Sequence, residues 1–163
     1  IYPIRFSNTV EEMAAQCDIP PSLIYAVIHT ESKFDSAAVS SANAKGLMQI
    51  TDETYFWAIK RAGEEASTYD PNDLYNPEIN IRAGCYILVL LSEQFNNTET
   101  LLAAYNAGQG RVSQWLKDPA CSNDGQTLVH KKRRTMFTVS SIHKKSIRHS
   151  ITFRNFMKGG IQP

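Results

Sequence analysis

Long apolar runs, metal-ligand spacings and paired strand patterns are all missing from this 163-residue chain. No uninterrupted apolar stretch approaches the roughly 20 residues that a membrane-spanning helix needs, so no transmembrane segment is expected. Cysteine is scarce. Cys17, Cys85 and Cys121 form an odd set without zinc or cluster spacing, which argues against a metal site and for buried or incidental thiols, with a Cys17 to Cys121 bridge left open. Internal repeats and low-complexity tracts are absent too, which excludes solenoid and linker architectures. The first residue is Ile1 rather than Met, so the expectation is a mature or trimmed form, with any export signal or anchor outside this stretch.

What is present is helix. At 163 residues with 42% hydrophobic content, the chain can bury one core of ordinary size. Ser7-Asn8-Thr9 is expected to cap a first helix carrying Val10, Met13 and Ala14. Pro20-Pro21-Ser22 opens a second, nearly all-apolar one through Leu23, Ile24, Ala26, Val27 and Ile28. Thr51 to Thr54 opens a third through Tyr55, Ile59 and Lys60. Pro77 sits in the first turn of a long helix reaching about Phe95, with Ile81, Cys85, Leu88 and Leu91 at helical spacing. Asn97-Thr98-Glu99 leads a shorter helix that ends at Gly108, a residue suited to a left-handed cap, and Gly110-Arg111-Val112 starts the last, closed by Asp118-Pro119. Gly63 to Pro77 reads as surface loop. The fold class is all-α, or α with a minor hairpin.

One carboxylate draws attention in this pattern. Glu31 lies three and four residues after Ile28 and Val27, so it leaves the face that enters the core and emerges at the helix end. Partial desolvation there would disfavour its anion and raise its pKa, as a general acid working near neutrality requires. Taken alone, Glu31 is better read as capping a surface helix end or pairing with Lys33. Downstream, Gly46-Leu47-Met48-Gln49 joins a glycine suited to positive φ to a carboxamide with both donor and acceptor, and Met48 offers a soft wall for a sugar face. Ser40 and Ser41 lie between, and the Ser40 hydroxyl could orient a sugar or the carboxyl. In Ala104-Tyr105-Asn106-Ala107-Gly108, Tyr105 brings an aromatic plane and Asn106 a carboxamide, a combination that suits a glycan-binding edge. Singly, Tyr105 is more often core and Asn106 more often a cap. Arg111 is expected at the surface.

These three segments, in this order and spacing, resemble the soluble-lytic-transglycosylase (SLT) type of peptidoglycan lytic transglycosylase, which shares the lysozyme-like fold. The likeness covers about residues 3 to 127 and includes the segment from Asn76 to Gly84. It implies a single lysozyme-like domain over 1–127 with a glycan-binding cleft, Glu31 as the catalytic acid and then base, and Ser40, Met48, Gln49, Tyr105 and Asn106 as substrate-binding residues. Glycoside hydrolysis ordinarily uses two carboxylates, but Asp35, Asp52 and Glu53 occupy no recognisable second catalytic position. The resemblance therefore implies a reaction assisted by the substrate's own acetamido group and 6-hydroxyl, closing a 1,6-anhydromuramic ring without water. It implies no cofactor and no metal, peptidoglycan glycan strands as partner, no specific nucleic acid, a monomer, and an exported protein of the bacterial cell envelope. The alternatives are a water-using muramidase of the same fold and a catalytically impaired glycan-binding domain.

The segment 128–163 departs from that pattern. Residues 1–127 hold all sixteen acids against eight Lys and Arg, whereas 128–163 hold nine Lys and Arg and no acid. Relatives continue through Glu-Thr-x-x-Tyr-Val and a Tyr-rich closing helix that brings a Tyr near the catalytic glutamate, and no residue of this tail takes that role. A basic arm for anionic polymers and a solvated terminus are two readings. The preferred third is translation out of frame: regrouping the codons of Thr135 to Thr138 by one register permits Tyr-Val-Tyr, where the family has Tyr-Val.

Overall fold

Caps and a three-four spacing of apolar residues set most of the element boundaries. The computed structural model describes residues 6–129, which contain six α-helices, two short 3-10 helices and isolated β-bridges in place of strands. The described residues fall into two units, 6–86 and 87–129. Among them, no helix is long and apolar enough to cross a membrane.

In the first unit, α1 (Ser7–Cys17) buries Val10, Met13, Ala14 and Cys17, a 3-4-7 stripe along one face. Ser7, Asn8 and Thr9 lie inside this helix and do not cap it. Phe6, in the left-handed region at φ 64°, turns the chain into the helix instead, and no side chain caps it. α2 (Pro21–Ser32) starts on Pro21, whose missing N–H costs nothing in the first turn, and buries Leu23, Ile24, Val27 and Ile28. It ends where Lys33 turns left-handed and its N–H closes on the His29 carbonyl at 3.0 Å. α3 (Asp52–Arg61) is capped by Thr51, whose Oγ1 accepts the Thr54 N–H at 3.2 Å. Its acids, Asp52 and Glu53, occupy the positive end and its bases, Lys60 and Arg61, the negative end.

The stretch from Gly63 to Pro77 is more than loop. Two 3-10 helices, Ala66–Thr68 and Pro71–Tyr75, fold it down, and Leu74 is driven fully into the core. Tyr69 meets the buried Tyr55 ring edge-on at 6.3 Å. The Tyr55 hydroxyl is enclosed without a hydrogen-bond partner among the described residues, and burial, followed by nearby Asp73, Tyr69 and Asp70, pushes it up to about 12. α4 (Pro77–Gln94) begins where Asn76 Oδ1 accepts the N–H groups of Glu78 and Ile79. Buried Arg82 ties α4 to α1 through two contacts with the Glu12 carboxylate, at 2.7 and 3.1 Å.

The second unit takes up the end of α4 with Ile87, Leu88, Leu90, Leu91 and Phe95 in its core. α5 (Thr98–Ala107) is capped by Asn97, whose Oδ1 accepts the Thr100 N–H at 3.0 Å, and it buries Leu101, Leu102, Ala103 and Ala104. Gly108, at φ 87° and ψ 136°, lies outside the left-handed helical region expected for it; this conformation suits glycine, and α6 (Gln109–Lys117) starts at once, a residue before Gly110. A turn then closes the unit. Asp124 Oδ1 accepts the N–H groups of Gln126 and Thr127, which hold its carboxyl down at about 2, and the Leu128 N–H reaches Thr100 Oγ1 at 3.5 Å. Cys17, Cys85 and Cys121 are free buried thiols, so the bridge left open between Cys17 and Cys121 is not formed. The basic segment beyond Val129, with its expected frame change, lies outside the described residues.

Candidate active site

Glu31 occupies the last turn of α2, half-buried, with Ile28 and Val27 behind it fully buried on the same face. That face pins the helix, so the carboxylate is held at the point where the chain leaves the core. Lys33, which ends the helix, is exposed.

The loop that follows is tightly wound. Lys33, Phe34, Asn43, Gly46 and Gln49 all have positive φ within this short stretch, a concentration of costly conformations that packing must enforce. Bridges pair Val39 with Lys45 and Lys45 with Ile50. The enforcing group is Asn80 of α4. Its Oδ1 accepts the Met48 N–H at 2.7 Å, and its Nδ2 donates to the Lys45 carbonyl at 2.9 Å and the Leu74 carbonyl at 2.8 Å. Gly46, at φ 73°, lies so close that any Cβ would collide with the Asn80 carboxamide and the Leu74 carbonyl. Lys45 is buried and its ammonium meets Asp52 in the first turn of α3, where Asn43 Nδ2 also approaches at 3.5 Å.

The expected substrate residues fare differently. Gln49 is half-buried, and its amide nitrogen donates to the carbonyls of Ala38 at 3.1 Å and Gly46 at 3.0 Å, so the loop consumes the donor and the side-chain oxygen keeps its acceptor capacity. Ser40 braces the same loop: its Oγ accepts the N–H groups of Ala42 at 3.2 Å and Ala44 at 3.1 Å. Met48 is not a wall. Its side chain is wholly enclosed and lies against Gly84, where a Cβ would run into its Sδ and Cε. Met48 is therefore core, and Gly84 exists in α4 to receive it. Asp35 and Asp52 have structural partners, the Ala37 N–H and Lys45 respectively, while Glu53 is exposed on α3.

In the second unit, Tyr105 and Asn106 occupy the last turn of α5, Tyr105 half-buried and Asn106 exposed, just before the Gly108 bend. Buried Ala103 and Ala104 fix that turn in the core. Arg111 is exposed, as expected. Sequence reasoning passed over Asn80, although a carboxamide between Ile79 and Ile81 on an otherwise apolar helix was the signal for it.

This α-helical fold is that of the lysozyme-like lytic transglycosylases. The profile of the Transglycosylase SLT domain matches residues 8–126, and the chain belongs to this family. It is similar to the soluble lytic murein transglycosylase of Escherichia coli, with 32% identity over 129 residues, covering 78% of this chain and 20% of that protein. It is also similar to membrane-bound lytic murein transglycosylase C of Haemophilus influenzae, with 34% identity over 138 residues and 36% of that protein covered. Among solved structures, lytic transglycosylase Slt of Pseudomonas aeruginosa, an inactive Glu-to-Gln variant, superposes with a TM-score of 0.65 and 30% identity, over 82% of this chain and 22% of that one. The chain thus spans only about a fifth to a third of these relatives' lengths.

Proposed function

We propose that this chain cleaves peptidoglycan as a lytic transglycosylase, with Glu31 as the acid and then the base. The observation that carries the reading is the position of Glu31, fixed by the buried face of α2 and followed by the clamped Gly46 to Gln49 loop, in a chain of the SLT family. The names of the relatives support the reaction, and the inactive Glu-to-Gln variant of the Pseudomonas protein supports a glutamate as its agent.

In the proposed sequence, the Glu31 carboxyl donates its proton to the oxygen between N-acetylmuramic acid and N-acetylglucosamine, and the bond from muramic C1 to that oxygen breaks. The 2-acetamido group stabilises the electron-poor C1. The Glu31 carboxylate then takes the proton of the muramic 6-hydroxyl as its oxygen bonds to C1, which closes the 1,6-anhydro ring and restores the acid. Gln49 and Asn106 offer amide contacts and Tyr105 an aromatic face for the glycan, with Ser40 as brace of the loop. Such a substrate places the work outside the cytoplasmic membrane, in the cell envelope. The acid-free segment 128–163 is proposed to be an out-of-frame version of the family's closing helix; the gene sequence tests this, and in-frame DNA with no family-like alternate frame would remove it.

Mass spectrometry of purified peptidoglycan digested by this chain and by Glu31→Gln tests the function. Anhydromuramic ends that disappear in the variant are expected, with a loss of at least ~100-fold for a missing general acid. Reducing ends would make the protein a hydrolase, and no product from the folded chain would make it a glycan-binding domain.

A further inference from the structure

Charge as well as backbone closes the base of the loop that carries Gln49. The Lys45 N–H donates to the Ile50 carbonyl at 2.9 Å, and the Ile50 N–H returns to the Lys45 carbonyl at 3.1 Å. Beside them, the Lys45 ammonium crosses to the Asp52 carboxylate in the first turn of α3, with side-chain exposures of 7% and 38%. The second Asp52 oxygen faces Asn43 Nδ2 at 3.5 Å, so one carboxylate gathers two side chains of the segment that enters the loop. Taking an ammonium out of water is costly, and a buried ion pair seldom stabilises more than apolar side chains of the same volume. What it does supply is a single geometry. Here that geometry bears on Gln49, which stands at φ 50° directly before Ile50. Its Nε2 donors both go to the carbonyls of Ala38 and Gly46, and Ala38 also accepts the Gly46 N–H at 2.9 Å. Turned over, the carboxamide would set its oxygen against those two carbonyls, so only the oxygen is left to face a ligand.

We infer that Lys45 and Asp52 are a positioning pair for Gln49: their ion pair holds the loop base so that the Gln49 carboxamide presents its oxygen alone, and the glycan groups it meets are donors, hydroxyl or amide N–H, rather than carbonyls. The inference rests on the proposed role of Gln49 in glycan binding. Lys45 acts through the loop and not on the sugar. Without its charge, the segment around Asn43 and Lys45 loses its hold on the start of α3, and the Gly46 carbonyl that fixes Gln49 loses its fixed place. The Gln49 amide then turns freely and offers oxygen and nitrogen alike, so its selectivity for donors goes with its order.

The test compares the full 163-residue chain with Lys45→Met, which keeps an apolar stem and drops the charge, with Asp52→Ala, with the double variant, and with Glu53→Gln, which removes an exposed charge from the same helix turn. Two quantities are read on folded protein: exchange of the Gln49 side-chain amide protons with water, by nitrogen-edited NMR, and KM and kcat for release of anhydromuramic ends from purified peptidoglycan. In Lys45→Met the exchange should quicken at least ~10-fold while the backbone amides of α2 and α4 stay protected. KM should rise by roughly 10-fold, the equivalent of one lost hydrogen bond, with kcat little changed. The double variant should match Lys45→Met rather than exceed it, and Glu53→Gln should match the parent. Unchanged Gln49 exchange in folded Lys45→Met overturns the inference, and so does faster exchange with an unchanged KM. Where Asp52→Ala fails to fold around its unpaired lysine, Lys45→Met alone decides. A parent chain that releases no product refutes the proposed function instead, and the Gln49 exchange still tells whether the pair orients that side chain.

Discussion

Replacing Asn80 should do more damage than its distance from any proposed chemistry suggests. Its carboxamide makes three buried hydrogen bonds, to the Met48 N–H, the Lys45 carbonyl and the Leu74 carbonyl. Asn80→Ala takes this partner from all three; the Lys45 carbonyl keeps the Ile50 N–H at 3.1 Å, and the Met48 N–H and Leu74 carbonyl each lose a buried bond whose absence costs about 1–3 kcal/mol. Gly46 lies against the same carboxamide, so the vacated space borders the loop and some water can enter, which reduces the total. A net loss of about 2–4 kcal/mol follows, a large share of the ~5–15 kcal/mol that a domain typically has. Asn80→Asp separates shape from hydrogen bonding. Its carboxylate still accepts the Met48 N–H but turns an acceptor toward two carbonyls, so its loss should be as large near neutrality and shrink on acidification, when a protonated carboxyl can donate again. Urea unfolding followed by circular dichroism measures both, and amide exchange at Met48 reports the clamp directly. A loss below about 1 kcal/mol for Asn80→Ala, with Met48 still protected, would refute the assignment of the loop's conformation to this side chain.

Two further outcomes follow from buried groups. Tyr55→Phe removes an enclosed hydroxyl that has no partner among the described residues, so it should leave stability unchanged or raise it by about 1 kcal/mol; a loss of more than about 1 kcal/mol would mean that the hydroxyl is satisfied. Tyr55 titrates at about 12 when folded against its ordinary 10.0, so the unfolded chain sheds this proton first. Its contribution is complete below pH 10 and drains away toward pH 12, and urea midpoints across that window should fall less steeply in Tyr55→Phe. Gly46 and Gly63 share φ 73°, but only Gly46 has neighbours in the path of a Cβ. Gly63→Ala should therefore cost about 1–2 kcal/mol of backbone strain, and Gly46→Ala several kcal/mol more, both read from urea midpoints. Equal costs would show that backbone strain alone matters at Gly46.

The helices were legible because their signals are local. Thr51 and Asn97 cap where a side-chain oxygen can reach an N–H three residues on, and Pro21 and Pro77 mark first turns. α1 was misread at its start because Ser, Asn and Thr favour caps on average, while here the backbone turn at Phe6 makes the cap unnecessary. The segment from Gly63 to Pro77 looked like loop because short 3-10 turns have no lasting periodicity, and Leu74 is its single deep anchor. Of the candidate site, Glu31 and the turn at Gly46 were readable from spacing and residue type. Met48 was not, since a methionine beside a glutamine suits a ligand wall as well as a core until its neighbour is known.

By itself, the sequence determined the helical class, the family resemblance and the identity of the proposed acid, because periodicity, caps and motif order are properties of neighbouring residues along the chain. Only tertiary structure decided that Met48 packs onto Gly84, that Asn80 holds the loop, and that Lys45 is buried against Asp52. Each of these joins residues on different elements, or a loop to a helix. Their cause is close packing and the need of buried polar groups for partners, and neither is specified until the chain has closed on itself.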